Sequence, residues 1–495
     1  MIIDDELSLE ELIKVARNYE KVELSKKAIE RIKKSRENVK RFLKSEEVIY
    51  GINTGFGALA NVKISENEIN DLQTNLVRSH SAGVGMPFNE ETVRAMMLLR
   101  AFSLSRGFSG VRIDVVQSIL DMLNHRITPV VPSQGSVGAS GDLAPLAHIA
   151  LSMMGEGEVY YNGQRMKAIS ALEKSGLKPL KYEAKEGLAL TNGTQAITAV
   201  LALAVYDARI LFESSLTIAS ISIDALKGST TPFDPRIHEL RPYKGQKYVA
   251  RKVMEYLEGS EIRKSHLHCS KVQDAYSLRA IPQVLGAVKD TVDYVEGILI
   301  TEMNSVTDNP LIFEDGALSG GNFHGEPVAL ASDFLAIAMS ELANISERRI
   351  DRLVNPLVSG LPPFLAMGKA GLNSGMMLWQ YTAASLVSEN KVLAHPASVD
   401  SIPTSAYQED HVSMGTIAAR KLRMILENAM KVVAIEGMVA SRAIRFHAPL
   451  KTGKKLQEYV ELLEDNTVEH DTYLGEHFEG IVEMIKSERL IKRGK

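Results

Sequence analysis

Residues 134–148 read QGSVGASGDLAPLAH and place Ala139, Ser140 and Gly141 in succession, just before a carboxylate. Three small residues add little to a core, and glycine loses more backbone entropy on folding than any other residue. A glycine amide nitrogen is sterically free to attack the carbonyl carbon two residues earlier, here that of Ala139. Loss of two waters would give a 4-methylidene-imidazol-5-one, an electrophile made without an external cofactor. The same residues also fit a flexible loop before a helix that starts near Asp142.

Other uses of glycine-rich loops fit this chain less well. A second glycine-rich stretch, YGINTGFGALANV, covers residues 50–62. Neither of the two stretches contains the phosphate-binding pattern G-x-x-x-x-G-K-[ST]. Residues 55–60, GFGALA, match a loose dinucleotide fingerprint, but no long amphipathic helix and no acidic residue follow at the required places. GASGD resembles a hydrolase nucleophile elbow, except that Asp142 replaces the last glycine. Residues 265–269, SHLHC, have no second ligand cluster nearby, so we expect no metal site there.

The elements that must position this loop are predicted to be mainly helical. Long apolar patterns at the helical period cover residues 196–226, 283–304, 326–353 and 415–446. Several of these patterns are apolar on more than one face, and such helices must be buried centrally or against another subunit. We therefore predict a long central helical bundle and an oligomer.

The part of the chain before residue 192 is interrupted by turns and predicts a mixed domain. In VYYNGQRM, Asn162 and Gly163 stand between strand-like residues, which predicts a small hairpin. We expect an N-terminal domain, residues 1–191, that carries Tyr50 and the Ala-Ser-Gly loop (residues 135–142). Residues 192–495 are expected to form a long-helix domain for oligomerisation and substrate-site segments.

Composition argues against several partners and compartments. A chain of 495 residues suggests two or more packed units, and its net charge of −4 gives no electrostatic reason to bind nucleic acid or an anionic membrane. The single cysteine, Cys269, fits a reducing, cytoplasmic compartment. The acidic N-terminus lacks a basic leader, so we expect no signal peptide. The apolar run 196–205 is soon interrupted by Asp207, which predicts a buried core helix rather than a membrane span.

The chain resembles the aromatic amino acid ammonia-lyase family at motifs spread over most of its length. The family signature around the self-cyclised tripeptide corresponds to GSVGASGDLAPL, residues 135–146. Further matching segments are YGINTGFG (50–57), LVRSHSAGVG (76–85), TNGTQ (191–195), QDAYSLR (273–279), NSVTDNPL (304–311), GGNFHGEPVA (320–329) and QEDHVSMG (408–415). The related fumarase-like and aspartase-like lyases carry a different signature, G-S-S-x-M-P, which the sequence lacks. The resemblance implies a mainly helical, homotetrameric fold with active sites shared between subunits.

The resemblance implies non-oxidative elimination of ammonia from an aromatic amino acid. The electrophile derived from Ser140 would capture either the amine or the ring of the substrate, and the sequence leaves both open. Tyr50 is the expected base for the β-proton. Because a free tyrosine titrates near pH ~10, helix N-termini that converge on the site are expected to favour its phenolate. Tyr276 and Gln273 are expected to line the site and orient the electrophile, and Phe323 to stack on it.

Substrate recognition is expected from several separate segments. The resemblance implies that Arg279 binds the substrate carboxylate, with help from Asn309. Asn192 would hold the amine or the imidazolone oxygen, and it also fits a helix N-cap. His80 and Glu409 are expected to contact an imidazole, since a carboxylate accepts a hydrogen bond from an imidazole N–H. These two positions favour L-histidine as substrate, with trans-urocanate as product.

Two other functions fit the same sequence. A tyrosine or phenylalanine ammonia-lyase or aminomutase would share the self-cyclised group and differ in the pocket. A non-catalytic helical assembly protein would retain the scaffold and lack the ring. Closure of the ring removes the mass of two waters, so intact-protein mass separates the last alternative from the enzymes.

Overall fold

A computed structural model gives the fold and describes residues 1–44, 54, 64–65, 68–267, 272–369 and 371–491. Tyr50, the expected base, and Cys269 lie outside these residues. The described chain is mainly helical, as expected. Its helices are α1 (Leu9–Asn18), α2 (Lys26–Leu43), α3 (Ile69–His80), α4 (Glu90–Ser105), α5 (Ile113–Asn124), α6 (Leu143–Met153), α7 (Ala168–Lys174), α8 (Glu186–Thr191), α9 (Gln195–Ala225), α10 (Pro235–Glu239), α11 (Lys244–Tyr256), α12 (Glu261–Lys264), α13 (Tyr276–Arg279), α14 (Ile281–Met303), α15 (Glu326–Val354), α16 (Pro356–Ser359), α17 (Met377–Leu393), α18 (Gly415–Arg445), α19 (Lys454–Leu463) and α20 (Gly475–Lys486).

The strands in the described residues are short. They are β1 (Ile2–Ile3), β2 (Glu23–Leu24), β3 (Val84–Pro87), β4 (Ile127–Pro129), β5 (Pro132–Gln134), β6 (Glu158–Tyr161), β7 (Gln164–Lys167), β8 (Leu311–Ile312) and β9 (Ala317–Leu318). Three 3₁₀ turns add Thr231–Phe233, Pro363–Leu365 and Ser405–Tyr407. No strand in the described chain exceeds four residues, so the sheets join neighbouring segments locally and most of the core is formed by helices.

The predicted hairpin at Asn162 and Gly163 is confirmed. β6 and β7 pair antiparallel with Tyr161 opposite Gln164, and β4 adds a third antiparallel strand to β6. Asn162 and Gly163 have φ of 52° and 75°, the left-handed conformation that a tight two-residue hairpin turn requires. A second antiparallel pair, β3 with β5, leads directly into the Ala-Ser-Gly loop.

The four long helices are also confirmed, because α9, α14, α15 and α18 begin and end within two residues of the predicted limits. α9 and α15 are long and apolar enough to cross a membrane when judged by length and composition alone. Most of their residues are buried inside the protein, however, which is typical of the core helices of globular proteins.

The chain forms two compact units. The first contains Met1–Leu203, Gly297–Asp333 and Pro396–Arg420, and the second contains Ala204–Glu296, Phe334–His395 and Lys421–Lys495. This division differs from the expected domains at 1–191 and 192–495. The reason is that two segments from late in the sequence return to the first unit, where they pack against the Ala-Ser-Gly loop.

In the second unit a buried carboxylate connects three long helices. Glu436 on α18 accepts hydrogen bonds from Arg349 Nε at 2.6 Å and from Arg349 Nη2 at 2.8 Å. Ser222 on α9 and Ser346 on α15 donate to the same carboxylate, each at 2.6 Å. All four residues are fully buried. A buried charge is tolerated only when it is paired and hydrogen-bonded, so these contacts fix the helices in one register.

Candidate active site

Two glycines give the Ala-Ser-Gly loop its shape. Gly138 and Gly141 have φ of 68° and 75°, in the left-handed region that favours glycine. A β-carbon at Gly141 would lie 2.2 Å from the carbonyl oxygen of Gly193, and one at Gly138 would lie 2.2 Å from Ser413 Oγ. The loop is therefore bare because other parts of the chain approach its backbone closely.

Substitution of Gly141 tests this packing against a matched glycine in the hairpin. Gly163 has the same φ of 75°, but nothing in the described chain lies within 4 Å of a β-carbon built there. Gly163→Ala should cost about 1–2 kcal/mol of unfolding free energy for the backbone conformation. Gly141→Ala should cost a further ~1–3 kcal/mol, because the methyl group overlaps a backbone carbonyl. Equal losses in denaturant unfolding would contradict the close approach.

Asp142 connects the loop to the first turns of two long helices. Its Oδ1 accepts hydrogen bonds from Ser136 Oγ and Thr416 Oγ1, both at 2.8 Å, and its Oδ2 accepts from Ile197 N at 2.8 Å. Burial raises the pKa of Asp142, whereas these hydrogen bonds oppose the shift. The starts of α6, α9 and α18 therefore meet at this carboxylate. The N-terminal ends of helices carry positive potential, so this region favours anions.

Asn192 and Gly193 hold the reacting tripeptide from the other side. Asn192 Nδ2 donates to the Ser140 carbonyl oxygen at 2.7 Å, and Asp142 N donates to the Gly193 carbonyl oxygen at 2.7 Å. Gly141 and Gly193 form a parallel β-bridge. Asn192 Oδ1 is buried and has no hydrogen-bond partner among the described residues, so this oxygen does not act as the N-cap of α9.

This arrangement fits the self-cyclised group expected from the sequence. The Ser140 carbonyl oxygen is the oxygen that the imidazolone would keep, and a donor already points at it. Ala139 is 4% exposed and packs with Val412 and Met414, which keeps water from the carbonyl that must react. The backbone N–H of Met414 donates to Val137 O at 2.8 Å and fixes the entry to the loop.

Glu409 reaches the Ser140 hydroxyl. Ser140 Oγ donates a hydrogen bond to Glu409 Oε1. Burial lowers the pKa of His80, and a backbone hydrogen bond at Leu76 and the negative charge of Glu409 oppose this shift. Ser79 Oγ lies 3.1 Å from His80 Nδ1. The structure therefore brings together the tripeptide, Asn192 and Glu409, and the roles of these residues and of His80 stay predictions.

Thr404 orients the Glu409 carboxylate. Its Oγ1 donates to Glu409 Oε2 at 2.6 Å, and Thr404 N donates to Glu409 O at 2.9 Å. The chain between these two residues forms a tight turn in which Ser405, Ala406 and Tyr407 all have φ between 51° and 66°. The turn therefore presents Glu409 at a fixed place with one carboxylate oxygen already occupied.

Removal of the Thr404 hydroxyl should weaken activity more than stability. Thr404→Val keeps the shape but removes a hydrogen bond to a charged group, which is worth about 1.5–3 kcal/mol. We expect kcat/KM for the substrate to fall about tenfold, because the freed carboxylate can rotate away from its productive position. Thr404→Ser keeps the hydroxyl and is the control. Wild-type activity in Thr404→Val, or equal losses in both variants, would contradict the orienting role.

Asn309 and Phe323 belong to the first unit. Asn309 is 8% exposed, and its Oδ1 accepts from Gly320 N at 2.8 Å, so it anchors the segment that contains Phe323. That segment reaches the Ala-Ser-Gly loop through Gly325 N, which donates to Gly138 O at 3.1 Å. Phe323 is half-buried. Both residues thus lie on a segment that contacts the loop.

The remaining expected residues lie elsewhere. Gln273, Tyr276 and Arg279 belong to the second unit, where Arg279 Nη1 donates to Gln273 Oε1. Tyr276 begins α13 and is 78% exposed. Tyr50 is outside the described residues. Nothing in the structure tests the roles of these four residues, which stay predictions.

A model of the family described as aromatic amino acid lyase matches residues 7–465 of this chain. This chain belongs to the aromatic amino acid lyase family. A histidine ammonia-lyase from Caldanaerobacter subterraneus subsp. tengcongensis is 52% identical over 497 residues, which cover 99% of this chain and 97% of the relative. The expected family is thereby confirmed.

Solved structures of aromatic amino acid lyases share the fold. Histidine ammonia-lyase from Trypanosoma cruzi has a TM-score of 0.92 and 41% identity, over 99% of this chain and 94% of that one. A tyrosine aminomutase from Streptomyces globisporus has a TM-score of 0.94 and 36% identity, over 100% of this chain and 98% of that one. Since both fit almost equally well, the fold does not select the substrate, and the side chains must.

Sequence reasoning missed several residues that hold the site. Thr404 stands five positions before Glu409, but only the folded turn brings the two together. Asp142 lies inside the family signature, yet its role as a junction requires Thr416, which is distant in sequence. Arg100 gave one signal, since it is a cation within an apolar helical run and such residues must find partners.

Proposed function

We propose that this protein is a histidine ammonia-lyase, a carbon–nitrogen lyase that converts L-histidine to trans-urocanate and ammonia in the first step of histidine degradation. The observation that carries the proposal is the carboxylate of Glu409 at the Ser140 hydroxyl, with His80 near enough for the charge of Glu409 to oppose the lowering of its pKa. An imidazole N–H can donate to Glu409 Oε1, whereas a phenyl ring offers this oxygen no donor. The relative at 52% identity supports the same assignment.

The proposal includes a 4-methylidene-imidazol-5-one formed from Ala139, Ser140 and Gly141. This group would supply the electrophile that activates the substrate for loss of ammonia. Asn192 Nδ2 would hold the ring oxygen, since it already donates to the Ser140 carbonyl at 2.7 Å. Asn192 Oδ1, buried and free of other partners in the described chain, would be an acceptor for the substrate amine.

Proton transfer and substrate placement are proposed for residues of other segments. Tyr50 takes the β-proton, and helix N-termini that converge on the site would favour its phenolate. Arg279 binds the carboxylate of the substrate bidentately, with help from Asn309. The remaining lining residues in the proposal are Gln273, Tyr276 and Phe323.

Association into a homotetramer with shared active sites is part of the proposal. Apolar side chains on the core helices α15 and α18 stay exposed in a single chain, with Ile337 at 49% and Met424 at 48%. A second copy of the chain would remove this surface from water. Cytoplasmic residence is also proposed, and the single cysteine supports it.

Incubation of the purified protein with L-histidine tests the substrate directly, because urocanate absorbs strongly in the ultraviolet. L-tyrosine and L-phenylalanine are assayed in parallel, since the similarity to a tyrosine aminomutase makes an aromatic aminomutase or lyase the second candidate. Turnover of histidine well above that of tyrosine is the expected result. Turnover of tyrosine with none of histidine would contradict the assignment.

A further inference from the structure

We propose that Arg100 is a positioning residue for ring closure, because it fixes the Asn192–Gly193 peptide against which the reacting tripeptide is held. The inference rests on the proposed function, since it concerns how that enzyme makes its own electrophile. Arg100 lies on α4 and is 1% exposed. It is not one of the three reacting residues, and its hydrogen bonds go to Asn192 and Gln195.

Arg100 donates a hydrogen bond to the backbone at Asn192, the residue that contacts the Ala-Ser-Gly loop. Its Nη1 donates to the carbonyl oxygen of Asn192 at 2.8 Å and to Gln195 Oε1 at 2.7 Å. Gln195 Nε2 in turn donates to Thr307 Oγ1 at 2.9 Å. The guanidinium thus joins the end of α8, the start of α9 and the segment after α14. The backbone at Asn192 is held by a fully buried cation rather than by a flexible surface group.

Arg100 and Gly141 of the tripeptide both lie close to Gly193. A β-carbon at Gly193 would lie 2.4 Å from Arg100 Nη1, and a β-carbon at Gly141 would lie 2.2 Å from the Gly193 carbonyl oxygen. That oxygen accepts from Asp142 N at 2.7 Å. A shift of Arg100 would therefore move Gly193, the Asn192 side chain and the backbone of Gly141 together.

The buried guanidinium of Arg100 has an incomplete set of hydrogen bonds. In the part of the chain that the structure describes, its Nε and Nη2 have no hydrogen-bond partner. Burial lowers its pKa to about 10, and Asp308 opposes this shift electrostatically. Asp308 also accepts from Lys185 Nζ at 2.9 Å, and both of these side chains are fully buried. Buried donors without partners are costly, so Arg100 occupies this position at a cost in folding free energy.

The step that depends on this support is ring closure itself. A bond forms between Gly141 N and Ala139 C, and the Ala139 carbonyl oxygen leaves as water with the amide protons of Gly141 and Ser140, which leaves a C=N bond. The Ser140 hydroxyl and the Ser140 Cα proton are then lost together as a second water, which leaves the exocyclic methylene. The first bond joins two atoms of one backbone, so its rate depends on how firmly that backbone is held.

Arg94 provides a matched control on the same helix. It is fully buried, burial lowers its pKa to about 10, and it donates to the carbonyl oxygens of Val15 and Leu123 at 2.8 and 3.1 Å. It differs from Arg100 in its place, because its partners belong to other helices and not to the site. Loss of Arg94 therefore reports the cost of removing a buried arginine from α4.

The test compares Arg100→Met and Arg100→Lys with Arg94→Met and Arg94→Lys in the full chain. Folded protein is isolated by size exclusion, and intact mass gives the fraction that has lost two waters at successive times after synthesis. We expect ring closure in Arg100→Met to be slowed about 100-fold relative to Arg94→Met, as expected for a misplacement of about 1 Å. Arg100→Lys keeps the charge and the donors but changes the length and shape of the side chain, so we expect a smaller slowing, by about tenfold.

The outcomes separate this inference from the proposed function. A wild-type chain that never loses two waters would contradict the proposed function itself. A wild-type chain that cyclises, together with Arg100→Met that cyclises at the rate of Arg94→Met, would overturn only the role of Arg100. If Arg100→Met does not fold, Arg100→Lys decides: slower closure than in Arg94→Lys supports the role, and an equal rate overturns it.

Discussion

Ser140→Ala should lower kcat/KM for L-histidine by about 1000-fold or more, which corresponds to about 4 kcal/mol of lost transition-state stabilisation. Without the hydroxyl, the methylene cannot form. The fold should persist, because the change removes one half-buried hydrogen bond, to Glu409, which is worth about 1 kcal/mol. Urocanate formation, intact mass and denaturant unfolding measure the three effects.

Ser152→Ala is the control for removal of a serine hydroxyl from α6, the helix that follows the loop. Ser152 lies on α6, is 1% exposed and donates to His148 O at 3.1 Å, so it also contributes one hydrogen bond. We expect this variant to lose two waters and to keep near wild-type activity. Full activity in Ser140→Ala would exclude the electrophile, whatever the behaviour of the control.

Glu409→Gln should lower kcat/KM for L-histidine by about 100-fold, because hydrogen bonds to a charged group are worth about 1.5–3 kcal/mol. Glutamine keeps the shape of the side chain, and its oxygen can accept from Thr404 while its NH₂ group can donate to a hydroxyl, so the unfolding free energy should change by less than about 1 kcal/mol. The loss should be specific to imidazole. Any residual turnover of L-phenylalanine should fall much less, since a phenyl ring has no donor for this carboxylate.

Asp410→Asn controls for loss of a negative charge at the same place in the chain. Asp410 is the exposed neighbour of Glu409, and we expect its variant to behave like the wild type. If Glu409→Gln kept full activity with histidine, or lost histidine and phenylalanine turnover equally, the basis for choosing histidine would be wrong. The intact mass of Glu409→Gln must also be measured, to separate slow turnover from incomplete ring formation.

The long helices were predictable because their signal is local and repeated. An apolar residue recurs every three or four positions over eight or so turns of α9, so the period is clear even without a partner sequence. The ends were equally clear, since α15 begins directly after Gly325 and α18 begins at Gly415. Each signal lies within the element that it predicts.

The division into units was not predictable in the same way. Residues 297–333 and 396–420 return to the first unit through contacts between segments that are distant in sequence, such as Gly325 N to Gly138 O and Lys185 Nζ to Asp308. Neither segment differs in composition from its neighbours in a manner that indicates where it packs. Tertiary contacts between distant segments leave no periodic trace in the sequence.

The candidate site divides along the same line. Ala139, Ser140 and Gly141 could be proposed from their residue types together with the family resemblance, and Glu409 from the resemblance, and their roles stay predictions. Thr404 and Arg100 were not, because a threonine or an arginine acquires its role only from what the fold places beside it. Residues that react can be recognised from type, whereas residues that hold them require coordinates.

The contacts of the loop also set a time at which the enzyme can become active. Thr416 donates to Asp142, and Ser413 Oγ donates to Gly138 O at 3.0 Å. A ribosome must therefore translate beyond residue 416 before the nascent chain can lock this segment. We therefore expect the newly made polypeptide to stay uncyclised until most of it has emerged, and fragments from interrupted synthesis to lack the reactive alkene.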